Sequence, residues 1–83
     1  MRIEKILIVT RKDGIHARPA SEIVDGLKDY SCSVEFIFND KKINAKSILQ
    51  LMGLAVKRGA EIYVILDGED VDDALVFIQW FFK

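Results

Sequence analysis

The sequence predicts an α+β fold, an open-faced β-sandwich in which three helices cover one face of a four-stranded antiparallel sheet. Two observations predict it. Segments typical of strands and of amphipathic helices follow one another in the order β-α-β-β-α-β-α, without a linker or repeat. The chain has 83 residues, of which 51% are hydrophobic, and that length supplies one hydrophobic core. We therefore expect a single domain over residues 1–83.

The strands are predicted from β-branched and aromatic runs with a two-residue period. They cover 3–11, 33–40 and 61–68, and segment 39–44 turns into a fourth, short strand. The first helix runs from Ala17 to about Asp29, since its apolar residues fall at i, i+3, i+4 and i+7. The second, "ILQLMGLA", follows Ser47, and the third covers 70–82 with acidic residues in its first turn.

Composition narrows the classes of function. Twelve basic and thirteen acidic residues give a net charge of −1, so nucleic acid is not an expected partner. No apolar run approaches the ~18–20 residues of a membrane span, and no signal peptide is evident, so we expect no membrane insertion. The single cysteine, Cys32, forms no internal disulfide and lacks metal-ligand companions. We expect a reducing, cytoplasmic compartment and no metal site.

The segment "DGIHARPA" (13–20) contains the only histidine and the only proline. Gly14 permits a tight turn out of the strand, and Pro19 is tolerated only in the first helical turn, so a helix begins close to His16. The free N–H groups of Ala17 and Arg18, and the Arg18 guanidinium, would then favour an anion beside a nucleophilic imidazole. The alternative is that His16 is only a cap or a surface residue.

The second helix is apolar around most of its circumference. If Leu51 and Leu54 face the core, then Leu49, Met52 and part of Ile48 remain exposed beside His16, as in a partner-docking patch. The alternative is a helix that is simply well buried. By pattern, Ser47 is the N-cap of this helix.

Two motifs, "GIHARPA" and "NAKSILQLMGLAVKRGAEI" (44–62), closely resemble the HPr family of histidine phosphocarriers in the bacterial phosphoenolpyruvate-dependent sugar phosphotransferase system. The resemblance covers essentially the whole chain. It implies that His16 accepts a phosphoryl group on Nδ1 from enzyme I and passes it to enzyme IIA. Arg18 lines the site, and the backbone of Ala17 and Arg18 binds the phosphoryl group. The protein would be a covalent carrier, not an enzyme, and would need no cofactor.

The resemblance also implies a regulatory site and a docking surface. The matching serine, Ser47, is phosphorylated in many relatives by an ATP-dependent HPr kinase. An alternative function is therefore a regulatory HPr-like protein that binds enzymes or a transcriptional regulator under control of Ser47. The docking surface comprises Ser21, Ile48, Leu49 and Met52.

This sequence departs from the family pattern at several positions. Asp13 stands where the family more often has a neutral residue, and its carboxylate would repel a phosphoryl group. Ala55 replaces a common glycine. Two apolar surfaces predict that the chain either forms a homo-oligomer or binds a partner tightly through one of them. One is the outer sheet face, with Ile6, Ile8, Ile37, Tyr63 and Ile65. The other is the last helix, where Phe77, Trp80 and Phe81 add to an inward set of Leu75, Ile78 and Phe82.

Overall fold

The structure is a computed structural model that describes residues 1–10, 17–54 and 56–82, with only the backbone described at 17–19. Its elements follow the predicted order. The strands are β1 (Arg2–Ile8), β2 (Ser33–Phe38), β3 (Lys41–Asn44) and β4 (Glu61–Asp67), and the helices are α1 (Ala17–Leu27), α2 (Ile48–Met52) and α3 (Val71–Phe81). The predicted class of fold is confirmed, while β1 and α2 are shorter than expected.

The four strands form one antiparallel sheet in the order β1-β4-β2-β3. Tyr63 of β4 lies opposite Ile6 of β1 on one side and Ile37 of β2 on the other. A two-residue turn joins β2 to β3, and both of its residues, Asn39 and Asp40, have positive φ angles of 52° and 63°. Such angles are typical of a type I′ hairpin, and Asn and Asp tolerate them better than other non-glycine residues.

The core lies between the sheet and the helices. On the inner face, β2 and β4 bury alternate residues, as the two-residue period predicts. Against them pack the buried residues of the three helices, which in α1 are Ala20, Ile23 and Leu27. The largest fully buried side chains are Phe36, Ile23, Leu27, Leu51, Ile62, Leu66, Ile78, Val9, Val34, Val64 and Val71.

Helix α1 lies directly against α3 at Gly26. A side-chain carbon at this position would overlap the ring of Phe77, which lies directly against the glycine. The ring of Phe77 also lies 6.4 Å from that of Tyr30, centroid to centroid. The missing side chain of Gly26 therefore lets an aromatic ring fill the space between the two helices.

Asp70, which immediately precedes α3, holds the loop between α1 and β2. Its carboxylate accepts hydrogen bonds from the backbone N–H groups of Ser31 and Cys32, at 2.8 and 2.9 Å. The bond from Ser31 is the main cause that lowers the pKa of Asp70, although desolvation opposes it. The carboxylate binds this loop instead of capping its own helix.

Two of the predicted apolar surfaces need correction. In α3 the buried stripe runs through Val71, Ala74, Ile78 and Phe81, so Phe81 is buried and Leu75 lies only at the margin of the core. Phe77 is half-buried, Trp80 is exposed as expected, and Val76 is exposed as well. The stripe follows steps of three and four residues, which places position 81 inside it.

On the outer sheet face, Ile6 and Ile8 are exposed as predicted, but Ile65 is only 6% exposed. Ile65 lies in a central strand, directly between Glu4 and Glu35. Long acidic side chains on both neighbours shield it with their apolar stems. The outer apolar surface is thus smaller than the sequence predicts.

Candidate functional site

The histidine segment lies at the N-terminus of α1. Asp13 and His16 lie outside the described residues, as does Ala55. Helix α1 begins at Ala17, so the helix start predicted from Gly14 and Pro19 is correct. The first N–H groups of a helix have no partner within it and form the positive end of its dipole. The first N–H groups of α1, from Ala17 onward, therefore form a positively polarised helix terminus of the kind that favours anions.

The chain that leads into this segment is fixed by two other parts of the fold. Thr10 donates from both its backbone N–H and its Oγ1 to the carbonyl of Phe82, at 2.7 and 2.8 Å. Val9 donates to the carbonyl of Ala60 and accepts from the N–H of Gly59. Thr10 and Ala17, the described residues on either side of 11–16, are therefore both part of the hydrogen-bonded fold.

Sequence reasoning missed this anchoring by Gly59 and Phe82. Gly59 has a φ of 92°, a conformation that favours glycine, and the "KRGA" turn before β4 could have indicated it. The contact between Thr10 and Phe82 joins residues 72 positions apart and has no local signal.

Ser47 is the N-cap of α2, as predicted. Its Oγ accepts a hydrogen bond from the N–H of Gln50 at 3.4 Å. The side chain of Gln50 in turn accepts from the N–H of Asn44 at 2.7 Å, and the side chain of Asn44 accepts from the N–H of Lys46. The motif "SILQ" has the Ser-x-x-Gln spacing of a capping box, which could have identified Gln50. Here Gln50 reaches Asn44 instead of Ser47, and the loop before α2 is bound to the helix.

Helix α2 exposes the residues that the sequence analysis placed on its outer side. Leu49 is 83% exposed, Met52 45% and Ile48 39%, whereas Leu51 and Leu54 are buried. The interpretation of α2 as a fully buried helix is therefore wrong. Because α2 packs against α1, this patch lies next to the helix that follows His16, and Ser21 on α1 is half-buried. The helix ends at Met52, and the N–H of its C-cap residue, Gly53, donates to the carbonyl of Leu49.

Within residues 1–10, 17–54 and 56–82, no group of three or more His, Cys, Asp or Glu side chains could hold a metal ion. In the same part of the chain, no helix has the length and hydropathy needed to cross a membrane. Cys32 is a free, buried thiol, and desolvation is the main cause that raises its pKa.

Fold and motif together define the class of small open-faced α+β sandwiches that work as phosphocarriers. The chain belongs to the HPr family of the phosphotransferase system, since it matches the family model PTS-HPr, "PTS HPr component phosphorylation site", over residues 3–83. Members of this family are phosphocarrier proteins and not enzymes.

Individual relatives agree with this assignment. The phosphocarrier protein HPr of Mycoplasma capricolum is 42% identical over 72 residues, which cover 87% of this chain and 81% of that protein. The crystal structure of HPr from Bacillus anthracis is similar with a TM-score of 0.91 and 30% identity, over 96% of this chain and 95% of that one. The Bacillus subtilis catabolite repression protein Crh, described as a swapped dimer, has a TM-score of 0.76 and 38% identity, over 92% and 87%.

Proposed function

We propose that this protein carries a phosphoryl group on Nδ1 of His16, which it accepts from phospho-enzyme I and passes to an enzyme IIA. The observation that supports it most is the start of α1 at Ala17, the residue that immediately follows His16 in the sequence, because the first N–H groups of a helix favour anions. The family match over residues 3–83 supports the same activity.

In the proposed step, the unprotonated Nδ1 of His16 attacks the phosphorus atom of the donor. A phosphorus–nitrogen bond forms at His16 while the bond between the phosphorus atom and the donor protein breaks. In the second step a nucleophile of the acceptor attacks the same phosphorus atom, the phosphorus–nitrogen bond breaks, and free imidazole is regenerated. The amides of Ala17 and Arg18 and the Arg18 guanidinium stabilise the negative phosphoryl oxygens. An open helix terminus binds the group without enclosing it, which suits a carrier that must release its load.

The test is incubation with phosphoenolpyruvate and enzyme I, followed by mass spectrometry and acid or base treatment. We expect one phosphoryl group that is stable in base, labile in acid and absent from His16→Ala. Ser47→Ala is the matched control and should be phosphorylated normally. A phosphoryl group that persists in His16→Ala would exclude the assignment.

We further propose that Ser21, Ile48, Leu49 and Met52 form the docking surface for enzyme I and enzyme IIA. The high exposure of Leu49 beside α1 supports it, because an exposed apolar side chain that the fold does not use is available to a partner. Leu49→Ala should lower the second-order rate constant of transfer by about tenfold. Ile8 is exposed on the outer sheet face, and the control variant Ile8→Ala should leave the rate constant of transfer unchanged. Equal rates for the wild type and Leu49→Ala would contradict this surface.

Asp13 is proposed to shorten the lifetime of phosphohistidine, because a carboxylate near the phosphoryl group repels it. Asp13→Asn should slow dephosphorylation of His16. The measurement is the half-life of the isolated phosphorylated protein at neutral pH. Unchanged or faster hydrolysis in the variant would contradict the proposal.

A second candidate function is regulation through Ser47 by an ATP-dependent HPr kinase, with binding of a transcriptional regulator as the output. The position of Ser47 at the start of the helix that exposes Leu49 supports it, since a phosphate there adds about −1.5 to −2 charges next to the docking surface. Incubation with HPr kinase and ATP should give an acid-stable phosphate that Ser47→Ala loses and His16→Ala keeps. Absence of this phosphate in the wild type would reject the regulatory function.

Self-association through the outer sheet face is a further proposal. Ile6, Tyr63 and Ile37 form one row across three strands, and Ile8 extends it along β1. A net charge of −1 gives little repulsion between two copies, so apolar contact between their outer sheet faces can decide whether they associate. Sedimentation should show a dimer at high micromolar concentration that Ile6→Lys dissociates. A monomeric mass in the wild type would exclude it.

A further inference from the structure

Helix α3 exposes an apolar stripe that belongs neither to the core nor to the proposed docking surface. Asp73, Val76, Phe77 and Trp80 stand at positions i, i+3, i+4 and i+7, so they lie on one face of the helix. Val76 is 65% and Trp80 67% exposed. Together with Tyr30, which follows α1, they line an open groove of about 420 Å³.

The groove has aromatic walls. The rings of Tyr30 and Phe77 lie 6.4 Å apart at an angle of 38°, and the packing of Phe77 on Gly26 fixes their position. Trp80 contributes the largest exposed ring. Faces of aromatic rings attract cations, tryptophan most strongly, and they also contact the methylene groups of Lys and Arg side chains.

Among the described residues that line the groove, the single charged side chain is acidic. Asp73 lines it directly, and α3 contains a second acid, Asp72, but no Lys or Arg from Val71 to Phe81. On α1 and the turn that follows, two acids flank Gly26, and all four carboxylates belong to exposed residues: Asp25, Asp29, Asp72 and Asp73. Two cations belong to the same region of the chain or contact it. Lys28, directly after α1, is exposed, and the Nζ of the half-buried Lys46 donates to the backbone carbonyl of Tyr30.

We propose that this groove, lined by Tyr30, Asp73, Val76, Phe77 and Trp80, binds an Arg- or Lys-bearing apolar segment of another protein. The cationic group lies against the Trp80 and Tyr30 rings and pairs with Asp73, while the neighbouring apolar residue of the segment covers Val76. Charge complementarity selects this occupant, because Asp73 lines the groove and would repel an acidic segment. The groove is small and open, so the affinity of the isolated segment is weak.

The groove is separate from the α2 patch of Ile48, Leu49 and Met52. Helix α1 contacts both α2 and α3, whereas α2 and α3 do not contact each other among the described residues. A partner held at α3 is therefore compatible with phosphoryl transfer through α2. This inference does not depend on the chemistry of His16.

The experiment uses the whole ¹⁵N-labelled protein and a tetra-arginine peptide blocked at both ends. Trp80 is the only tryptophan, so its fluorescence reports on the groove, and amide chemical shifts locate the site. We expect saturable shifts at Tyr30 and residues 73–80, quenching of Trp80 and weaker binding at higher salt. Blocked tetraglutamate should produce none of these changes.

Two matched variants decide between the groove and general attraction of cations. Asp73→Asn and Glu61→Gln each remove one exposed negative charge, but Glu61 lies on β4 away from the groove. Asp73→Asn should weaken binding about two- to fivefold. Trp80→Ala should weaken it about tenfold, and because this variant lacks the fluorescent side chain its binding is measured by amide chemical shifts. Glu61→Gln should bind as the wild type does.

Three outcomes would overturn the proposal. One is equal weakening by Asp73→Asn and Glu61→Gln, and another is a set of peptide-induced shifts centred on α2. The third is concentration-dependent shifts at residues 73–80 without peptide, which would identify a second copy of the chain as the occupant. Amide shifts of Trp80→Ala that match those of the wild type in α2 and in the sheet would show that the variant is folded, and this control does not involve the proposed carrier function.

Discussion

Helices α2 and α3 both contact α1 but not each other among the described residues, and each exposes an apolar surface of a different kind. The surface of α2 is aliphatic and follows directly on Ser47 and Lys46, with no acidic residue from Ile48 to Met52. The surface of α3 is aromatic and begins at two aspartates. One small domain thus presents two apolar surfaces with different electrostatic surroundings, and their partners should differ accordingly.

The two helices also begin differently. Ser47 caps α2 by accepting from an N–H of that same helix. Asp70 precedes α3 but binds the N–H groups of Ser31 and Cys32, across 39 and 38 residues. Stabilisation at the start of α2 is local, whereas at the start of α3 it ties together two distant segments.

The largest expected effect separates the buried side of α2 from its exposed side. Leu51→Ala should lower the free energy of unfolding by about 2–5 kcal/mol, because Leu51 is fully buried. Leu49→Ala makes the same chemical change in the same helix and should alter it by less than about 0.5 kcal/mol. Urea denaturation measures both values. Similar losses in the two variants would mean that α2 has no distinct exposed side.

The next effect concerns the contact between α1 and α3. Gly26→Ala places a methyl group where the ring of Phe77 lies, so the ring must move. We expect a net loss of about 1 kcal/mol, since overpacking outweighs the gain in helix propensity. Gly53→Ala at the end of α2 is the control, because its nearest atom would be 3.5 Å away, and stability should be unchanged or slightly higher. A Gly26→Ala variant as stable as the wild type would contradict the tight contact.

A smaller loss is expected at the start of α2. Ser47→Ala removes the oxygen that accepts from Gln50 and should cost about 0.5 kcal/mol, at the low end for N-caps because the bond is long. Thermal unfolding compared with Ser31→Ala, an exposed serine outside the helices, measures it. A loss no greater than that of Ser31→Ala would show that Gln50 and Asn44 hold the loop without the serine.

The smallest effect is a pH dependence at the start of α3. The pKa of Asp70 is lowered in the folded state, so its contribution to stability is complete above the ordinary carboxyl pKa of about 4 and is lost as the pH falls through the lowered value. Asp70→Asn should flatten the acid limb of the stability curve. In the wild type, the amide chemical shifts of Ser31 and Cys32 should change together with pH as Asp70 is protonated, because both N–H groups donate to its carboxylate. An identical acid limb in wild type and variant would refute this role.

The sequence predicts most of the fold because its strands and helices have clear periods and short connections. The two-residue period of β2 and the helical period of α1 give the correct buried residues. The prediction is less accurate for α3, where nearly every position from Leu75 to Phe82 is apolar or aromatic. A helix that is apolar around its circumference does not indicate which side faces the core. The placement of Phe81 was therefore wrong, while Leu75 packs against the core only in part.

For the site, local patterns predict what depends on local geometry: the start of α1, the cap at Ser47 and the exposure of Leu49. They do not predict the contacts of Asp70 or Thr10, which join distant parts of the chain. Long-range contacts of this kind follow from the packing of whole elements, and no spacing in the sequence encodes them.

The double hydrogen bond from Thr10 to the carbonyl of Phe82 has a consequence for biosynthesis. Residues 11–16 are translated before residue 82, yet the contact that fixes Thr10, directly ahead of them, forms only after residue 82 has left the ribosome. A nascent chain can therefore expose His16 long before its surroundings are complete. Premature termination within α3 would produce a chain that contains the motif but lacks this anchor.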